Sequence, residues 1–161
     1  MRERIIRESI HSLQQEGLRF SIDSLAQTLR ISKKTVYKYF PDKETLALAI
    51  YETYYDELHR QLAEILSDGA PTRNVALLRL YYDAKQMTRE DIFNKYKLNP
   101  TIRAYVASRN DALWDALRAA LGVMAGSGGE SLRVIIDGTF EKLCHSPVFA
   151  DAVMERLVHL L

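Results

Sequence analysis

The chain has 161 residues, of which 47% are apolar, and its formal net charge is +1 at pH 7. This content suffices for one substantial core, or for a small domain joined to a larger one, and it excludes a uniformly basic protein. Cys144 is the only cysteine, which excludes an intramolecular disulfide, and no apolar run is long enough for a signal peptide or a membrane helix. We therefore expect a soluble, cytoplasmic protein without membrane contact.

The charge is unevenly distributed along the chain. Residues 1–45 hold nine Lys or Arg against six Asp or Glu, whereas residues 46–161 hold thirteen against fifteen. A basic N-terminal segment followed by a mildly acidic body indicates a polyanionic partner at the N-terminal end.

Helical spacing runs through nearly every segment and predicts an all-α fold of about nine helices. The first helix is predicted to end near Gly17. Ser21, Ser32 and Asp42 then each stand between an apolar or proline residue and an apolar residue four positions on, the pattern of a capped helix start with a hydrophobic staple. These signals predict two short helices over 22–29 and 33–39 and the start of a third helix.

The third helix is predicted to run over 43–68, because apolar residues recur there every three or four positions until Gly69 and Pro71. About 25 residues span about 37 Å, enough to lead from a small N-terminal domain into a second one. We predict a small N-terminal domain over 1–45 and a larger helical domain over 46–161. Further helices are predicted over about 72–87, 89–97, 100–125, 130–145 and 147–161, with breaks at Asn99-Pro100, in a hinge-like loop at 126–129 and at Ser146-Pro147.

The first three helices have the parts of a helix-turn-helix, with the motif over about 21–40. If Val36 and Phe40 are buried, the other side chains of 33–39 stay outside, and their ammonium and phenol groups suit phosphate oxygens. The first turn of such a helix usually meets base edges. A second interpretation is that the lysines form an ordinary solvated face and that Tyr37 and Tyr39 pack across the domain.

The segment from Gly17 to Leu46, GLRFSIDSLAQTLRISKKTVYKYFPDKETL, resembles the tetracycline-repressor (TetR-like) family of bacterial regulators. The shared pattern is a glycine, a Ser, a Leu-Ala pair, a hydrophobic-Ser turn, the run Thr-Val-Tyr-Lys-Tyr-Phe, and a lysine three residues before a leucine. One position departs from it, since the family often has glycine where this chain has Arg30. A left-handed backbone there would strain an arginine by about 1 kcal/mol.

The resemblance implies a homodimeric repressor that binds a near-palindromic operator in double-stranded DNA and is released by a small-molecule effector. It implies a DNA-binding domain over 1–45 and a ligand-binding and dimerisation domain over 46–161. It also implies that Ser21, Tyr37 and Lys43 contact phosphate, whereas the first turn of the recognition helix and Tyr39 enter the major groove. The complete set of predicted DNA-binding residues is Ser21, Ser32, Lys33, Lys34, Thr35, Tyr37, Lys38, Tyr39 and Lys43.

Two apolar stripes near the C-terminus suit a four-helix bundle between two subunits. The predicted dimer interface consists of Leu132, Ile135, Ile136, Phe140, Leu143, Val153 and Leu157. The alternative is that both stripes pack inside one subunit. Large amphipathic side chains in the middle of the chain could line an apolar ligand pocket, for which we select Tyr81, Tyr82, Phe93 and Trp114. Ordinary core packing is the alternative for each of them.

An enzyme is not indicated. The four histidines lack metal-ligand spacing, Cys144 and His145 are adjacent and do not form a dyad by default, and no glycine-rich phosphate loop is present. The sequence predicts no catalytic residue, metal or cofactor. The alternative function is a helix-turn-helix activator or architectural DNA-binding protein without a ligand.

Overall fold

The structure, a computed structural model, describes all 161 residues apart from the side chain of Leu18. Its helices confirm the predicted all-α fold, and no strand occurs in the described chain. The α-helices are α1 (Arg2–Glu16), α2 (Ile22–Leu29), α3 (Lys33–Tyr39), α4 (Lys43–Ser67), α5 (Arg73–Met87), α6 (Glu90–Tyr96), α7 (Pro100–Ala120), α8 (Ser127–Leu143) and α9 (Ala150–Leu160). Short 3-10 turns cover Gly17–Arg19 and Pro147–Phe149.

The chain forms two compact units. Unit 1 comprises Met1–Glu57 and Met87–Ala107, and unit 2 comprises Leu58–Gln86 and Ser108–Leu161. Both α4 and α7 contribute residues to each unit. The predicted domains were defined differently, by the partner that each part binds: DNA for 1–45, and a ligand and a second subunit for 46–161. This functional division stays a prediction.

The starts of α2, α3 and α4 are fixed by side-chain caps at the three positions that the sequence indicates. The Ser21 hydroxyl accepts the Ser24 N–H at 3.0 Å, and the Ser24 hydroxyl accepts the Ser21 N–H at 3.2 Å, which completes a capping box. Ser32 and Asp42 accept the N–H three residues on, at 3.1 and 2.7 Å. Each cap satisfies amide groups that a helix start leaves free and so determines where the helix begins. The predicted bounds of α2 and α3 are confirmed.

The turn between α2 and α3 is built on Arg30 in the left-handed conformation, with φ 54° and ψ 45°. The Arg30 N–H donates to the Gln27 carbonyl and the Ile31 N–H to the Ala26 carbonyl, both at 3.0 Å. These two bonds form a Schellman motif, which usually has glycine at this position. The arginine therefore carries backbone strain of about 1–2 kcal/mol.

The core of the N-terminal helices is apolar and tightly closed. Its members are Ile5, Ile6, Leu13, Leu25, Ala26, Leu29, Val36 and Phe40, all buried. Ile10 and Ile31 are half-buried. Sequence periodicity did not indicate that Ser9 is buried, yet its side chain is fully buried. Its hydroxyl tolerates this burial because it donates to the Ile5 carbonyl at 2.8 Å.

Helix α6 belongs to unit 1 although it lies far along the chain from α1 and α2. The Tyr96 hydroxyl lies 2.9 Å from the Phe20 carbonyl and 3.2 Å from the Gly17 carbonyl, within donating distance of both. The Phe20 and Tyr96 rings also meet edge to face, 6.0 Å apart. Burial raises the pKa of Tyr96, so the phenol keeps its proton as a donor. These contacts fasten α6 to the segment that leads into α2.

Unit 2 has an aromatic core around Tyr81. The Tyr81 ring centroid lies 5.6 Å from that of Trp114 and 6.0 Å from that of Phe140. The Tyr81 hydroxyl donates to Asp137 at 2.9 Å, and the Lys85 ammonium donates to the same carboxylate at 3.1 Å. Burial, together with the charge of Asp137, raises the pKa of Tyr81 above its ordinary value. A polar group therefore closes one side of an otherwise apolar cluster.

Three helix boundaries differ from the predictions by three residues or more. One is the start of α9, which lies at Ala150 and not at 147, because Pro147–Phe149 form a 3-10 turn. Helix α7 ends at Ala120 and not near 125, because Gly122 turns the chain with φ 73° and the Val123 N–H returns to the Arg118 carbonyl at 3.0 Å. The apolar residues after Ala120 continue the helical spacing, so periodicity alone did not reveal this end.

Helix α8 begins at Ser127, inside the segment predicted as a hinge-like loop at 126–129. Gly126 alone in that segment has a positive φ, 104°. Gly129 is buried, and a Cβ at this position would lie 2.8 Å from the Met124 carbonyl oxygen. Gly129, which has no Cβ, therefore permits close packing within unit 2.

Candidate nucleic-acid interface

Helix α3 has one buried side and one open side. Val36 and Phe40 at its end are each 1% exposed, whereas Tyr37 is 42% and Tyr39 is 38% exposed. The two tyrosines are therefore not sealed inside the domain. The exposed side also carries Lys33, Lys34 and Lys38.

The open side of α3 carries positive charge, and no acidic residue occurs in this helix. Lys33 forms an ion pair with Asp23 of α2, and both side chains are more than half exposed. This pair links the start of the helix to α2 and offsets one positive charge. The described residues provide no such partner for Lys34 or Lys38, which leaves their ammonium groups to solvent or to a polyanion.

The hydroxyl groups predicted to contact DNA already serve the helix starts. Ser32 Oγ lies 2.9 Å from Thr35 Oγ1, and the Ser21 hydroxyl donates to Ser24 Oγ at 3.1 Å. Both serines are also N-caps. A phosphate contact through either hydroxyl would exchange an internal hydrogen bond for an external one, so its net gain would be small.

The N-terminus of α4 brings another cation to unit 1. Lys43 is the first residue of α4 and is exposed. Next to it, the N–H of Thr45 holds the pKa of Asp42 below its usual value, which keeps this cap ionised near neutral pH. The helix start supplies amide donors, and Lys43 supplies the positive charge that attracts a phosphate.

The residues predicted to line a ligand pocket are all buried, and they fall into both units. Tyr81, Tyr82 and Trp114 belong to unit 2 and are 0–5% exposed. Phe93 belongs to unit 1, where its ring meets that of Tyr51 at 6.0 Å. The Trp114 Nε1–H is buried without a hydrogen-bond acceptor among the described residues. Which of these residues touch a ligand stays a prediction.

The residues predicted to form a dimer interface are divided between core and surface. Ile136, Phe140, Leu143 and Leu157 are buried within unit 2, and Leu132 and Val153 are half-buried. Ile135 is 58% exposed. The sequence prediction omitted its neighbour Val134, which is 72% exposed. The helical repeat of the sequence could have indicated Val134, since Val134 and Ile135 lie on the side of α8 away from Ile136 and Phe140.

These features define a class of protein: a capped, three-helix domain with a basic, phenol-bearing α3 is a helix-turn-helix DNA-binding domain. The sequence model of the family described as bacterial regulatory proteins, tetR family, matches residues 5–50. This match confirms the resemblance to the tetR family that the sequence shows in its helix-turn-helix segment.

A curated relative is similar over part of the chain. The HTH-type transcriptional regulator YvaF of Bacillus subtilis (strain 168) is 34% identical over 58 residues. The match covers 36% of this chain and spans only about a third of the relative's length, 30%. The similarity therefore concerns only part of each protein.

Two solved structures share the fold over nearly the whole chain. A transcriptional regulator of the TetR/AcrR family from Thermobifida fusca YX-ER1 has a TM-score of 0.57 at 20% identity, covering 99% of this chain and 94% of that one. The multidrug binding protein EbrR, in complex with imidazole, has a TM-score of 0.56 at 18% identity, covering 97% and 93%. At this identity the likeness establishes the fold.

The family whose model matches residues 5–50 is one of transcriptional regulators and not of enzymes, which agrees with the expectation from the sequence. None of the helices in the described part of the chain combines the length and apolar content that a bilayer crossing requires.

Proposed function

We propose that the protein is a homodimeric transcriptional repressor of the bacterial cytoplasm that binds a near-palindromic operator. The observation that carries this proposal is the two-sided α3. Its apolar side is locked by Val36 and Phe40, while three lysines and two tyrosines stay exposed. Such a surface suits the phosphate-lined major groove, and two copies would set their recognition helices about 34–36 Å apart.

Individual roles follow from position and chemistry. Lys34 and Thr35 lie in the first turn of α3, where side chains reach base edges. Tyr37 and Lys43 carry a phenol donor and an ammonium group suited to phosphate oxygens. Lys33 is already paired with Asp23, so it would read a base only by leaving that carboxylate.

A small-molecule effector that releases the operator is the second part of the proposal. The buried, unpaired indole N–H of Trp114 supports a polar ligand group near the aromatic core of unit 2. A ligand shifts operator affinity only by its differential affinity for the two forms of the protein. A regulator or architectural protein without a ligand in unit 2 is the second candidate, and the near-complete burial of Tyr81, Tyr82 and Trp114 favours it.

Selection of binding sites from random duplex DNA tests the DNA-binding roles. We expect Tyr37→Phe to weaken all sites about equally, since a phosphate contact carries no sequence information, and Thr35→Ala to change the preferred sequence. Lys43→Ala should lower the slope of log affinity against log salt by about 0.9, the value for one phosphate contact on B-DNA. Lys142→Ala in α8 is the matched control and should leave the slope unchanged.

A purified protein that binds no selected duplex at low salt would overturn the proposed function. If Tyr37→Phe and Thr35→Ala altered the selected sequences in the same way, DNA binding would stand but the assignment of phosphate and base contacts would be wrong.

A further inference from the structure

Unit 1 contains a cavity of about 590 Å³ that opens to solvent beside the proposed DNA-contact residues. Its volume lies in the range of small-molecule sites. Its floor is apolar and consists of Leu13, Phe20, Leu46, Ile50, Ile92 and Leu98. All six side chains are buried, so an apolar ligand body would gain by leaving water here.

The rim of the cavity is cationic. Arg19, Lys33, Lys43 and Lys95 line it together with one carboxylate, that of Asp23. Asp23 is already paired with Lys33. The structure records no ion pair for Arg19, Lys43 or Lys95 among the described residues, which leaves an uncompensated positive charge at the mouth. A cationic mouth over an apolar floor is complementary to an amphipathic anion.

The cavity shares its mouth with the proposed phosphate contacts. Ser21, Tyr37 and Lys43 line it and also belong to the predicted DNA-binding set. Tyr37 adds an exposed phenol donor to the cations. An anionic head group held by these residues would occupy the position of a DNA phosphate.

We propose that this cavity binds an amphipathic organic anion, with a carboxylate or phosphate head at the cationic rim and an apolar body on the floor, and that the ligand directly competes with DNA. The competition rests on the proposed function, whereas the binding of the anion does not. Release of DNA through this site needs no motion of unit 2, because ligand and phosphate use the same side chains.

Calorimetry with dodecanoate, dodecyl phosphate and dodecyltrimethylammonium, each below its micelle concentration, tests the binding without DNA. We expect one or both anions to bind and the cation to bind at least tenfold more weakly, because the chain is the same and only the head group differs. The better anion identifies the source of the negative charge. Equal binding of the cation, or no binding of either anion, would overturn the proposal.

Two variants locate the ligand. Lys95→Gln should weaken binding of the anion about tenfold, as expected for the loss of one charge-assisted contact, while operator affinity without ligand stays unchanged, because Lys95 is not among the proposed DNA contacts. Ala47→Trp should fill the cavity and abolish anion binding; Ala63→Trp, on the exposed surface of the same helix, is its control. Circular dichroism checks that each variant is folded.

Operator binding titrated with the better anion then tests the competition. In wild type the apparent operator Kd should rise steadily with anion concentration from its value without anion, and in Ala47→Trp it should stay constant. Anion binding that persists in Ala47→Trp would place the ligand elsewhere and overturn the site. Anion binding to wild type without any rise in the operator Kd would overturn the competition.

Discussion

Arg30 occupies a strained backbone position within the helix-turn-helix. Its backbone adopts the left-handed conformation that a Schellman motif requires, and its side chain is exposed. An L-residue with a Cβ pays for this conformation with strain that glycine does not have. The turn forms nevertheless, because the two hydrogen bonds of the motif and the burial of Leu29 and Val36 determine it.

Arg30→Gly should raise the free energy of unfolding of the protein by about 0.5–1 kcal/mol, since the relief of strain exceeds the added entropy of the unfolded chain. Arg30→Ala removes the same side chain but keeps the Cβ, so it should give no such gain. Urea unfolding followed by circular dichroism measures both. An equal gain in the two variants would mean that the arginine side chain, and not the backbone, is the source of strain.

At the scale of the element, α3 and α8 each divide their side chains between a packed and an open side. In α3 the division leaves cations and phenols outside. In α8 it leaves Val134 and Ile135 outside while Ile136 and Phe140 enter the core of unit 2. The start of α8 also depends on a close approach, because Gly129 packs against the Met124 carbonyl.

Gly129→Ala should lower the free energy of unfolding by about 1–3 kcal/mol, because its Cβ would fall 2.8 Å from a backbone oxygen that cannot move freely. Gly128→Ala is the matched control in the same turn. It has no neighbour within 4 Å and should be neutral or stabilising by up to about 1 kcal/mol, through helix propensity. Urea midpoints that fall equally for both variants would contradict this packing.

At the scale of the whole molecule, the proposed function requires two copies of the chain. The exposed apolar residues of unit 2 offer a surface for this contact: Val134 and Ile135 on α8, Val148 and Phe149 in the 3-10 turn before α9, and Leu160 at the end of α9. Burial of such side chains between two copies would give an isologous interface.

Ile135→Glu should shift the protein from dimer to monomer, because it places a charge at the centre of the proposed contact. Light scattering after gel filtration measures the mass. Operator affinity should fall together with the dimer, since one copy contacts one half-site only. Leu66→Glu, a similar change at a 45% exposed position of α4, is the control and should leave the mass unchanged. A wild-type protein that is monomeric at micromolar concentration would refute the interface.

The helix-turn-helix could be predicted closely because its signals are local. The caps at Ser21, Ser32 and Asp42 and the spacing of Val36 and Phe40 determine helix bounds and the open side of α3 within a few residues of chain. The same local signals misplaced the end of α7 and the start of α8. The spacing of apolar residues does not show that α7 ends at the turn at Gly122. It also does not show that Gly128 and Gly129 are helical, which depends on packing against neighbouring residues.

The sequence by itself determined the all-α fold, the tetR-like helix-turn-helix segment and the face that α3 leaves open. Only the tertiary structure decided which member of each apolar stripe is buried, that α6 packs onto the helix-turn-helix through Tyr96, and that Arg19 and Lys95 meet around one cavity. The physical reason is the range of the interactions. Caps and helical periodicity act over three to four residues, whereas a cavity and a shared core depend on contacts between segments more than seventy residues apart.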